Sequence, residues 1–173
     1  MNIVYSNKSI ISNKNSGLYL SKKATASAPR IDFGNLLKKG KYYTLIMHDP
    51  DAVNDNHNVI HWIINNIQLT NTDSFEPLLD YKGPHPPPAS GIHRYIFTLY
   101  LQPNGIFKNT KITLTNDNRS ITVSGLLDQL QLTNENKVSS VYFTSSASSI
   151  SGGKRSRRKR KSRRRRQRKS RRL

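Results

Sequence analysis

In the longest hydrophobic stretches of this chain, apolar side chains recur at every second position and hardly ever at helical spacing. Residues 41–49 (KYYTLIMHD), 57–67 (HNVIHWIINNI), 93–102 (HRYIFTLYLQ) and 137–145 (KVSSVYFTS) alternate in this way and are rich in β-branched and aromatic residues. Residues 2–6 (NIVYS) form a fifth, shorter segment, and 17–20, 30–33 and 111–115 are weaker strand candidates. Only residues 122–131 carry leucines at a spacing that predicts a short helix, with Ser120 or Ser124 as its expected cap. Many strands, little helix and no alternation of strand with helix predict a mainly β protein built on antiparallel pairing.

The charges divide the chain in two. From Lys154 to Arg172 fifteen of nineteen residues are Lys or Arg, and none is acidic. The remainder holds fourteen basic residues against all ten acidic ones, so the body carries about +4 of the net charge of +19. The run includes Lys154, Arg155, Arg157, Arg158, Lys159, Arg160 and Lys161, then Arg163, Arg164, Arg165 and Arg166. A segment of cations separated only by Ser and Gln has nothing with which to build a core, so 154–173 is expected to be a disordered tail. The preceding SASSISGG predicts a flexible linker over 146–153, leaving 1–145 as one domain. There is no cysteine, which removes disulfides and thiolate metal sites. The apolar run near Met1 is too short for a signal peptide, and none is long enough for a membrane span. An intracellular protein, cytoplasmic or nuclear and neither secreted nor transmembrane, is the expectation.

Strand alternation sorts the polar residues by face. Tyr43, Leu45 and Met47 lead to Asp49 on one face of their strand, while Tyr42, Thr44, Ile46 and His48 take the other. His93 begins the face of Tyr95, Phe97, Leu99 and Leu101, and Arg94 points away to an expected ion pair or loop hydrogen bond. Alternation pairs His61 with Ile63 and Asn65 and sends Trp62 the other way with Ile64. Each residue alone has an ordinary structural reading: a hydrogen-bonded strand histidine, a core tyrosine, an Asp-Pro-Asp-Ala turn. Together, at strand ends and beside the loop GPHPPPASG (83–91), they predict a pocket wall. Prolines lack an N–H and hold φ fixed, so the loop should be stiff, with Gly83 and Gly91 giving close approach or positive φ at its ends. His48 and His85 are expected at the surface or on another face, outside the binding set.

Three motifs in order, MHDPDA (47–52), IHW (60–62) and GPHPPPASGIHRY (83–95), resemble those of the phosphatidylethanolamine-binding protein family, across the whole body but not the tail. The resemblance implies a central antiparallel sheet packed on a smaller one, with one or two short helices and a small pocket for phosphate-like or other anionic head groups. It implies that Asp49, His61, His93 and Tyr95 line the pocket, that Asp51 supports it, and that Pro86 and Pro87 form its rim. Members act as binding and regulatory proteins, including kinase-pathway inhibitors, protease inhibitors and plant flowering signals, rather than as established enzymes. Val53 replaces the proline that ends the family's Asp-Pro-Asp-Ala-Pro segment, and the C-terminal helix of some animal members has no counterpart, as in shorter bacterial-type members. The basic run is similar to tails on proteins of large DNA viruses, which adds a virion to the expected locations.

These residues suit anion binding without catalysis. Imidazole N–H and phenol O–H are donors to a phosphate oxygen, and Asp49 is expected to fix a histidine tautomer by accepting from one ring nitrogen. Anion affinity should then strengthen as pH falls through the histidine range. No compact metal-ligand spacing and no serine in a nucleophile-elbow context is present, so neither an enzyme nor a cofactor is expected. The expected partners are a phosphorylated ligand and an unknown protein, with the body a monomer. For the tail they are nucleic acid, through phosphate neutralisation, or an anionic membrane surface.

Overall fold

The computed structural model describes residues 1–54, 57–71, 75–108 and 111–147. The expected linker of 146–153 is described only at its first two residues, of which Ser146 ends a strand, and the rest of it and the basic run 154–173 lie outside the described residues. Three short strands, β1 (Asn2–Val4), β2 (Ile10–Ile11) and β4 (Arg30–Asp32), form an antiparallel sheet in the order β2-β1-β4. The larger sheet contains β3 (Leu18–Tyr19), β5 (Tyr43–Asn54), β6 (His57–Ile67), β7 (Pro77–Leu79), β8 (Ile92–Leu101), β9 (Ser120–Ile121) and β10 (Lys137–Ser146). Its order is β3-β10-β8-β5-β6-β7, with β9 also paired to β6, and only the β3–β10 pairing is parallel. The described residues include one α-helix, α1 (Val123–Gln129), and one 3-10 turn, Asn134–Asn136.

Alternation along the central strands gives the large sheet two apolar faces. Leu45, Met47, Phe97, Leu99, Val141 and Phe143 pack against Ile3, Ile11 and Ile31 of the small sheet. On the opposite face Ile46, Ile60, Ile63 and Tyr100 lie with Leu126, Leu127 and Leu130 in and after α1. Fully burying one such side chain contributes on the order of 1.5–3 kcal/mol, so two layers on one sheet stabilise a body of this size. The mainly β architecture, with a larger sheet on a smaller one, is the one the alternation and the resemblance predict.

Local details differ from expectation where side chains override propensity. Residues 111–115 form no strand, because the Thr113 amide donates to Gln129 Oε1 (2.9 Å) instead of a neighbouring strand. The helix cap is Thr122, whose Oγ1 accepts from the Gly125 amide at 3.0 Å, and neither Ser120 nor Ser124 takes that role. The Asp-Pro-Asp-Ala segment is no free-standing turn, since β5 continues through it to Asn54. Three short strands, β2, β7 and β9, have too few residues to show alternation.

Candidate functional site

The site opens where two central strands part. Backbone pairing between β5 and β8 ends at His48–Ile96. Beyond that point side chains bridge the gap. Asp49 Oδ2 accepts from His93 Nδ1 at 2.8 Å, and Asp51 Oδ2 accepts from the Arg94 amide at 2.8 Å. Arg94 also grips Asp51 through Nε (2.9 Å) and Nη2 (2.7 Å), the ion pair expected for an outward-facing arginine. These bonds, above all, hold the Asp51 carboxyl below its ordinary range. Asp49 Oδ1 accepts from the amides of Asp51 (2.8 Å) and Ala52 (3.1 Å), so the aspartate folds the segment beneath itself while fixing the histidine. Asp49 and His93 are almost wholly buried, at 1% and 2% exposure.

His61 reaches the same site by a different device. Met47 pairs with Trp62 and His48 with Ile60, leaving His61 as the extra residue of a β-bulge. The bulge breaks the expected alternation: Ile63 packs beneath the helix, whereas the His61 ring stands edge-on to Tyr95, 5.1 Å between centroids, over the opposite core. The face predicted for His61 alongside Ile63 is therefore corrected. Lys82 brackets the bulge from the next segment, its amide donating to the His61 carbonyl (2.8 Å) and its carbonyl lying 2.7 Å from His61 Nδ1. Behind it sits Arg119, 7% exposed, whose Nη1 donates to the carbonyls of His61 (3.1 Å) and Asp80 (2.8 Å). Burial, above all, lowers the proton affinity of this guanidinium.

A cavity of about 350 Å3 gathers Asp49, Asp51, His61 and His93 with Pro86 and Pro87 of the loop. Ala52, Val59, Lys82, His85 and Ser90 complete its wall. His85, expected to stand apart, is exposed but faces this opening. Within the loop Ser90 Oγ donates back to the Pro87 carbonyl (2.7 Å). Gly91 takes φ +87° at one end; at the other, a Cβ on Gly83 would stand 2.8 Å from the Thr25 carbonyl oxygen. Ala89 also takes positive φ, +65°, without glycine's freedom. Tyr95 lies one layer deeper than the lining residues, fully buried and stacked on Phe143 at 5.2 Å. Its hydroxyl is buried near Asp49 and the His85 backbone but closes no well-aligned hydrogen bond, and burial, followed by the nearby Asp49 charge, raises its pKa strongly.

The hydrogen bonds define the chemistry. A carbonyl and a carboxylate can only accept, so each of His61 and His93 carries its proton on Nδ1. Neither Nε2 has a protein partner among the described residues, which leaves it as the polar atom of each ring available to a guest. Burial, the dominant influence, lowers the His61 pKa against the opposing effects of the Lys82 carbonyl and Asp49. Its ring therefore offers a lone pair at neutral pH. His48 belongs to the opposite face, with a buried and unpartnered Nδ1, and burial depresses its pKa to about 4. Among the described residues no group of three or more His, Cys, Asp or Glu is arranged to hold a metal ion. No described helix is long and apolar enough to cross a membrane.

The sequence model of the phosphatidylethanolamine-binding protein family matches residues 6–143, which include every residue lining this cavity and all of the strands but β1 and the end of β10. The chain belongs to the phosphatidylethanolamine-binding protein family. Among curated relatives of this family, Protein BROTHER of FT and TFL 1 from Arabidopsis thaliana is 33% identical over 107 residues, 59% of this chain and 57% of that protein. Protein CENTRORADIALIS from Antirrhinum majus is 32% identical over 108 residues, 59% of this chain and 58% of that protein. The chain thus spans little more than half the length of these relatives. A carboxypeptidase Y inhibitor, solved in complex with its cognate proteinase, has the same fold with a TM-score of 0.61 and 24% identity, over 85% of this chain and 82% of the inhibitor. The phosphatidylethanolamine-binding protein from Plasmodium vivax matches with a TM-score of 0.59 and 19% identity, over 83% of each chain.

Proposed function

We propose that this chain is a non-enzymatic binding and regulatory protein whose cavity takes phosphate-like anions, as inorganic phosphate or the phosphoryl group of a larger molecule such as a phospholipid head group. The observation that carries the reading is the convergence of His61 and His93 in one cavity, each with Nδ1 committed and Nε2 unpartnered. Asp49 is then a positioning residue: it fixes the His93 tautomer and folds the 49–52 segment, and its own oxygens are already occupied. Tyr95 supports the His61 ring from beneath and keeps its hydroxyl for a guest or water that penetrates to it. Inhibition of a protein partner fits the same surface, since a regulatory segment ending in a phosphoryl group would occupy the slot.

The pH dependence follows from counting protons. Each Nε2–oxygen contact needs one proton, supplied either by a protonated ring or by a P–OH group of the ligand. Both sources are depleted as pH rises; phosphoryl monoesters lose their second proton near pH 6, on the order of the histidine range. The Asp49 charge further disfavours a dianion. Affinity for phosphate and phosphoethanolamine should therefore fall as pH rises from about 5.5 to 8. Titration of the His61 and His93 ring resonances at several pH values checks this. Affinity that is constant or grows towards alkaline pH would reject the proposal. The basic run favours a second reading, association with nucleic acid through the tail, which acts independently of the cavity.

A further inference from the structure

A second depression adjoins the cavity. It is lined by Lys22, Ala26, Lys82, Gly83, Pro84 and His85 and encloses about 480 Å3. Lys82 and His85 also line the histidine cavity, so the two spaces meet across these side chains. The far wall is the turn carrying Lys22, and it is built firmly. The Lys22 carbonyl accepts from the Thr25 amide (3.3 Å) and from Thr25 Oγ1 (3.3 Å), and Tyr81 Oη donates to the Thr25 carbonyl at 2.7 Å. Gly83 approaches that carbonyl so closely that a Cβ there would stand 2.8 Å from it, which locks the two walls together.

The two spaces differ in charge. The histidine cavity holds Asp49 and Asp51, with Lys82 at its edge, and each contact that an anion makes with a ring Nε2 there needs a proton. The neighbouring trough has two lysines, one histidine and no acid among its lining residues. An anionic group there needs no proton and finds two ammonium groups to accept from. We infer that the trough is a subsite for a second anionic group, and that the ligand class is a small phosphorylated molecule carrying two such groups, one in each space. The inference rests on the proposed anion function of the histidine cavity and adds what that reading lacks, a determinant of ligand length and charge. Lys22 is the discriminating residue, because it lines only the trough, whereas Lys82 lies at the junction.

The test uses the full chain at about 0.15 M salt, where distant charges are screened over about 8 Å. Inorganic phosphate is compared with a series of alkane bisphosphates of increasing chain length. Binding is read from the His61 and His93 ring resonances, so ligand attracted to the basic tail does not register. The best-fitting bisphosphate should saturate those signals at roughly fivefold to tenfold lower concentration than phosphate. Lys22→Glu should abolish that gain while leaving phosphate binding unchanged, and Lys22→Gln should reduce it. Only the Lys22 backbone is bonded within its turn, and an unchanged amide spectrum confirms that the variants fold. A bisphosphate that saturates no earlier than phosphate, or a gain that survives Lys22→Glu, overturns the subsite. Phosphate that leaves the rings unperturbed would overturn the anion function itself, and the subsite with it.

Discussion

Asp49 accepts three hydrogen bonds, from His93 Nδ1 and the amides of Asp51 and Ala52, which fits the positioning role proposed for it. Asp49→Asn separates these duties. The amide oxygen can still take both backbone donors, but the NH2 group then faces His93 Nδ1 and forces the ring to carry its proton on Nε2. The expected outcome is a shift of the ring proton from Nδ1 to Nε2, visible in nitrogen-correlated NMR. Phosphate affinity at the alkaline end should then fall less steeply than in the parent, because this contact now supplies its own proton. An unmoved proton would show that Asp49 does not set the tautomer. At this scale the sequence was highly informative: the face shared by Met47 and Asp49 and the face shared by His93 and Tyr95, at the head of β8, follow from period-2 counting alone. Depth was not legible. Tyr95 sits beneath the cavity lining because its ring stacks on Phe143, a residue forty-eight positions later that no local pattern links to it.

Alternation also fails at the scale of the strand, where β6 bulges at His61. Nothing in HNVIHWIINNI marks His61 as an extra residue, since a bulge depends on what the partner strand offers, here Met47 and His48 of β5. Arg119 was missed for the same reason. It lies in an irregular stretch of sequence and becomes informative only when its fork is seen against the carbonyls of His61 and Asp80 and both oxygens of Asn116. A lysine offers a point charge in place of that planar fork and leaves some of these acceptors bare. Arg119→Lys should cost about 2 kcal/mol in urea unfolding. It should also free the bulge, weakening phosphate binding and broadening the His61 ring signals while the His93 proton stays on Nδ1. Lost stability with an unaltered His61 would reduce Arg119 to a purely structural residue. Elsewhere the elements were legible in proportion to their length, with five alternating segments seen and the two- and three-residue strands β2, β7 and β9 missed.

Across the whole chain, the separation of charge from core is the property most plainly written in the sequence. A body of about +4 needs no counter-charge to stay folded, whereas fifteen cations in nineteen residues repel one another and must draw anions to themselves. On the proposed function two anion-seeking devices share one chain and differ in kind. The cavity would select by shape and proton position, and the basic run by charge density alone. Counterion release makes the second strongly salt-dependent, with log affinity falling roughly as 0.9 per phosphate neutralised on duplex DNA, whereas a one-phosphate cavity has little such slope. With no aromatic residue among the cations to stack on bases, the tail should bind without sequence preference. Removing residues 154–173 should abolish salt-sensitive retention of DNA and RNA in a gel-shift assay and leave the phosphate titration of His61 and His93 unchanged. The reciprocal variant, His93→Ala in the full chain, should lose the phosphate response and keep the gel shift. Retention that persists after tail removal would place the nucleic-acid contact on the folded body, and the independence of the two devices would fail with it.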